Sequence, residues 1–119
     1  MAIEFGVSIG TPHHNYALIL DTDPLDANWH SIDLSGTIPL GAFAVFVDGH
    51  ITSISTDDSL RLADSGAPSH YHHVVTNVAN KEAHMNTIVE IAPATRLLWW
   101  QVSNARVTDV QIHMYWSFR

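Results

Sequence analysis

The chain has 119 residues, 46% of them apolar, with four Trp, four Phe, three Tyr and no Cys. That is enough apolar mass for one packed core, while disulfides, thiolate metal sites and cysteine nucleophiles are excluded. Twelve carboxylates against five Lys and Arg give a net charge of −7 with His neutral. The five cations (Arg61, Lys81, Arg96, Arg106, Arg119) are scattered and form no basic stripe, which argues against nucleic acid and anionic membranes as partners.

One domain over residues 1–119 is expected, built from short strands. The first strand falls at 3–9 and ends at Gly10-Thr11-Pro12. This opening lacks the basic start and long apolar run of a signal peptide, and no stretch approaches the roughly 20 apolar residues of a membrane helix. Strands follow at 16–20 and, after the turn-rich Asp21-Thr22-Asp23-Pro24, at 29–34. The run 43–47 meets Asp48-Gly49, a hairpin-turn signal, and continues at 50–54 either as a second strand or as one bulged strand. Strands at 60–63, 71–78 and 87–91 come next, with at most one helical turn within 79–85.

The run 95–102 carries Leu97, Leu98, Trp99 and Trp100 in succession, as a strand buried on both faces does. Beyond Ser103-Asn104-Ala105, Val110, Ile112, Met114, Trp116 and Phe118 alternate with polar residues. This period of two predicts one buried face, paired with 97–102 as a hairpin. On that phase Trp116→Ala costs about 3–5 kcal/mol. Eight or nine strands spaced by turns predict an all-β, jelly-roll-like β-sandwich.

The chain contains no Gly-x-Ser-x-Gly, His-Glu-x-x-His or phosphate-binding glycine loop, so no catalytic or cofactor-binding residue is assigned and no enzyme is expected. Histidine is the unusual residue, with nine copies. Their full protonation moves the net charge from −7 to −7 + 9 = +2. His70 and His72, at strand spacing, stand about 7 Å apart on one face and are weak metal candidates needing a third ligand. Cupin jelly rolls place a Glu shortly after such a pair. Here Thr76 and Asn77 occupy those positions, and the first carboxylate is Glu82, so no catalytic metal is expected. His13, His14, His30, His50, His84 and His113 read as surface or satisfied residues. Asp21-Asp23-Asp26 and Asp57-Asp58 read as solvated turns and loops rather than Ca²⁺ ligands.

Only 14% of the residues are charged, against roughly 25% in a typical domain, so part of the surface is expected to be covered in use. Trp99 and Trp100 point to opposite faces of one strand. One of them must be covered by a subunit, a loop or a ligand. Trp99, Trp29, Tyr71 and His73 are the interaction candidates, with a subunit contact preferred to loop cover, and loop cover to sugar stacking.

The stretch Trp29-His30-Ser31-Ile32-Asp33-Leu34-Ser35-Gly36-Thr37-Ile38-Pro39-Leu40-Gly41-Ala42-Phe43-Ala44-Val45 resembles a phrase in small β-sandwich virion proteins of tailed phages. So does the closing segment from Trp100 through Ser103-Asn104-Ala105 to Phe118. The resemblance covers about half the chain and rests on fold-forming residues, so no functional residue carries over. It implies a virion component assembled in the host cytoplasm, foremost a capsid decoration (cement) protein, with a head fibre or a tail or baseplate accessory as variants. The implied partners are itself, as a homotrimer, and a major capsid or tail protein. The alternative is a carbohydrate-binding, lectin-like module, which predicts an exposed Trp or Tyr beside Asp and Asn in a groove. A metal-dependent jelly-roll enzyme predicts three ligands converging on His70 and His72.

Overall fold

The computed structural model describes residues 12–22 and 26–119. The strand expected at 3–9, and Asp23, lie outside the described residues. Among the described residues there are eight strands: β1 (Pro12–Thr22), β2 (His30–Asp33), β3 (Ala44–Ser53), β4 (Ser59–Ala63), β5 (His72–Val75), β6 (Ala83–Glu90), β7 (Leu97–Val102) and β8 (Val107–Phe118). They form two four-stranded antiparallel sheets, β1-β8-β3-β6 (sheet 1) and β2-β7-β4-β5 (sheet 2). β1 pairs β8, β2 pairs β7, β3 pairs β6 and β4 pairs β5. This is the jelly-roll order, a long antiparallel hairpin wound into two sheets.

The core is what alternation predicts for two facing sheets. Val45, Val47 and Ile51 of β3 and Val110, Ile112 and Met114 of β8 share one buried cluster with Leu60 and Leu62 of β4 and Leu98, Trp100 and Val102 of β7. Leu34, Ile38 and Ala42 also belong to it. They come from the Trp29–Val45 phrase, which crosses from β2 in sheet 2 to β3 in sheet 1. Gly41 turns this crossover at φ +89°, a left-handed conformation that glycine adopts without a Cβ penalty. Arg96 pins it by donating from Nη1 to the carbonyls of Ser35 (3.2 Å) and Ile38 (3.0 Å).

Three expectations are corrected. First, β7 and β8 do not pair as a hairpin. The 103–106 connection carries the chain from sheet 2 to sheet 1, so the two strands lie in opposite sheets of one core. Alternation reveals which face is buried and is silent on the partner across it. Second, of the two readings of Asp48-Gly49 the turn is overturned and the continuous strand holds, because β3 runs through it with a bulged pairing to β8. A Cβ on Gly49 would lie 3.0 Å from Leu60 Cδ2 of sheet 2, so glycine here permits close sheet-to-sheet approach.

Third, Trp116 leaves the buried face. Val47 pairs with Met114 but Phe46 pairs with Trp116, so Tyr115 is an extra residue, a β-bulge. The bulge reverses the phase of the strand end. Ser117 becomes fully buried opposite Val45, while Trp116 is 40% exposed and stacks on Phe46 with ring centroids 5.6 Å apart. Within 79–85 the chain makes one hydrogen-bonded turn, Lys81 N donating to the Val78 carbonyl at 3.4 Å, before β6 begins at Ala83.

Candidate functional site

β5 and β6 are the edges of sheet 2 and sheet 1 on the same side of the sandwich, and they belong to different sheets. Between them opens a cleft of about 230 Å³, with Leu62, Ala63 and Val89 as apolar lining and Asp64, Ser69, His70, Tyr71, His72 and Glu90 as polar lining. The pleat explains His72. It pairs with the buried Leu62, so it projects to the inner side, where its Nδ1 stands 3.2 Å from Thr87 Oγ1 of β6. This contact bridges the two sheet edges. His73 points the other way, opposite Arg61 on the outer face of sheet 2.

That outer face is roofed by loops. Gln101 Nε2 donates to the Ala27 carbonyl at 2.8 Å and its Oε1 accepts from Arg61 Nη1 at 3.1 Å. The 26–29 segment is thereby held over β7 and β4. Trp29 meets Tyr71 with ring centroids 6.3 Å apart, and Tyr71 meets His73 edge-on at 5.8 Å. The Arg61 guanidinium sits 5.0 Å from the centroid of the Tyr71 ring, a cation–π distance. Tyr71 is thus gripped by three neighbours yet stays 43% exposed at the cleft.

Of the four interaction candidates, Trp29, Tyr71 and His73 meet in this one cluster. Trp99 does not join them through any ring contact. It is covered by its own chain: a Cβ on Gly66 would lie 2.8 Å from its ring. The loop at Gly66 thus packs on one side of the ring, and Trp99 stays partly exposed. Trp100 turns inward, with His30 against it at 5.1 Å.

His70 and His72 do not share a strand face, because β5 begins at His72. Among the described residues no third ligating side chain completes a set with them. Such a set occurs instead on the outer face of sheet 1, formed by His50, Glu82 and His84. His50 and His84 are register partners on β3 and β6. Sequence reading left them dispersed, because cross-strand neighbours are fixed by register, which no local pattern displays.

One carboxylate of each acidic cluster, Asp58 and Asp26, serves the structure. Asp58 is buried, accepts from Arg106 Nε (2.8 Å) and Nη2 (3.0 Å), and accepts also from Ser53 Oγ. The Arg106 hydrogen bonds hold its carboxyl below the usual range, outweighing burial. Asp26 accepts from its own turn at Asn28 N and stands 2.7 Å from His30 Nε2.

No protein-family model and no curated protein matches the chain. Three solved structures resemble it at low identity. One is a carbohydrate-binding module from Cellvibrio mixtus lichenase 5A in complex with cellotriose (9% identity, TM-score 0.44, 88% of this chain and 97% of that one). Another is the CBM22-1 xylan-binding domain of Paenibacillus barcinonensis Xyn10C (9%, 0.39, 90% and 96%). The third is the C-terminal family 22 carbohydrate-binding module of Clostridium thermocellum Xyn10B (13%, 0.39, 97% and 88%). At these scores the likeness carries no argument about what this chain binds.

Proposed function

We propose that this is a non-catalytic binding domain whose ligand is a carbohydrate, taken at the β5–β6 cleft. One observation carries the reading: a gripped, half-exposed tyrosine ring stands at a cleft that also presents Asp64, Ser69, His70 and Glu90. A sugar ring has an apolar C–H face and a rim of hydroxyls. Tyr71 offers a flat apolar partner for the face, fixed in advance by Arg61 and Trp29, which lowers the ordering cost of binding. The carboxylates accept from hydroxyls, and Ser and His both donate and accept. The cleft is smaller than the roughly 300–1,000 Å³ of drug-sized sites, so it holds a short segment or chain end.

The test is a glycan array probed with the whole chain, followed by calorimetry on any hit. Tyr71→Ala and Asp64→Asn should each weaken binding at least tenfold without changing the circular dichroism spectrum. Absence of any hit, or a hit indifferent to both substitutions, contradicts the reading.

A second reading, a self-associating virion subunit, is favoured by a different observation. The outer face of sheet 1 exposes Leu18 (50%), Ile88 (45%) and Trp116 (40%). Ile88 and Trp116 flank Phe46 on paired strands. Sedimentation decides it: a trimer at micromolar concentration that Ile88→Glu dissociates supports it, and a monomer at all concentrations contradicts it.

A further inference from the structure

Away from the cleft, on the outer face of sheet 1, three imidazoles stand in a parallel row across three adjacent strands. His84 of β6 stacks on His50 of β3 (centroids 4.8 Å, planes 10° apart), and His50 stacks on His113 of β8 (6.0 Å, 7°). Glu82 closes the row from the segment leading into β6. Its Oε2 lies 3.0 Å from His50 Nδ1 and its Oε1 lies 3.2 Å from His84 Nε2. The ligand atoms of His50, Glu82 and His84 all lie within 4.8 Å of one another. His50 is nearly buried in this arrangement, with 9% of its side chain exposed, while Glu82 and His84 are half open at 50% and 52%.

We infer that His50, Glu82 and His84 form a binding site for a borderline divalent transition ion of the Zn²⁺ class. Two imidazole nitrogens and one carboxylate oxygen are a known zinc donor set, and they leave a fourth position open. Ligands about 2.0–2.2 Å from a tetrahedral ion stand roughly 3.3–3.6 Å apart. The two nitrogen–oxygen separations, 3.0 and 3.2 Å, run to different oxygens of Glu82, and the ligand atoms lie within 4.8 Å of one another, so an ion would draw the three side chains together by about an ångström.

An independent observation points the same way. Asp48 Oδ1 is buried without a hydrogen-bond partner, and it lies 3.8 Å from His84 Nδ1, the ring nitrogen facing away from Glu82. A histidine that ligates through one nitrogen characteristically donates the other N–H to a carboxylate, which fixes its tautomer. Metal at Nε2 places the proton on Nδ1, and a shift of under an ångström brings it onto the orphaned oxygen. Binding therefore supplies the hydrogen bond that Asp48 lacks. The half-open rim leaves the remaining coordination position to an outside donor, either water or a side chain of another molecule.

The test uses the tag-free full chain with ZnCl₂, by calorimetry and by elemental analysis after dialysis. One zinc per chain is expected. His84→Ala and Glu82→Gln, both at half-exposed positions, should each weaken binding at least tenfold. Asp48→Asn should weaken it about tenfold by acting through His84. The melting temperature should rise with zinc in the parent chain and in Asp48→Asn at higher zinc, but not in His84→Ala. Absence of stoichiometric zinc overturns the inference. So does zinc retained in His84→Ala and lost only in a His70→Ala, His72→Ala double variant. The glycan reading stands or falls separately, on Tyr71 and Asp64.

Discussion

The outer face of sheet 2 is roofed by its own loops, with Gly66 pressed on Trp99 and the 26–29 segment tied down by Gln101. The outer face of sheet 1 instead leaves Leu18, Ile88 and Trp116 half exposed and carries the histidine row. One jelly roll thus has two differently built surfaces. The roofed sheet gathers loop aromatics and polar groups at its β5 edge, beside the cleft. The open sheet displays side chains in positions set only by strand register. The fold itself hosts both lectin-like and capsid-type functions, so the distinction has to be made on these faces.

The largest effect sharpens where the core ends and the open face begins. Met114→Ala removes a fully buried side chain between the sheets and should cost about 3 kcal/mol, read by urea denaturation. A loss below about 1 kcal/mol would place Met114 outside the core and invalidate the register. Next comes Asp58, which joins the two sheets by accepting from Ser53 of β3 and from Arg106 just before β8. Asp58→Ala should cost about 2–3 kcal/mol, since charge-assisted bonds are lost and the Ser53 hydroxyl loses its acceptor.

The pH dependence of Asp58 has a fixed sign. Its folded carboxyl lies below the unfolded value of about 3.9. Its contribution is present above about pH 4 and lost as pH falls through the depressed value. In Asp58→Ala the decline in stability below pH 4 should therefore be shallower than in the parent. An identical decline would show that the pair does not form.

A smaller effect probes the roof. Gly66→Ala forces a methyl group against Trp99 and should cost about 1–2 kcal/mol, with a change in tryptophan emission. Unchanged emission would mean the loop does not cover Trp99. The smallest effect belongs to the open face. Trp116→Ala should cost only about 1 kcal/mol, the value of its stacking on Phe46. A loss of 3–5 kcal/mol would restore the unbulged phase.

Much of this was legible in residues and the rest was not, for one physical reason. Alternation in 110–114 and the apolar run 97–102 show strands, because side-chain direction is local. The pairing of β7 with β4 and β2, the bulge at Tyr115 and the meeting of His50 with His84 depend on register between distant segments. Tyr71, Trp29 and His73 were visible as candidates through composition alone. Asp64, Ser69 and Glu90 were not, since nothing marks an edge-strand cleft before the edges are known. The resemblance carried by Trp29–Val45 lies in the crossover that buries Leu34, Ile38 and Ala42, and a crossover of this kind says nothing of a ligand.

The most direct measurement of the central claim is a nitrogen-15 amide spectrum of the whole chain, titrated with soluble gluco-, xylo- and manno-oligosaccharides. The cleft account predicts saturable shifts at Asp64, Ser69, Tyr71 and Glu90, with Phe46 and Ile88 on the open face unmoved. Shifts centred on Phe46 and Ile88, or none at millimolar sugar, would contradict it.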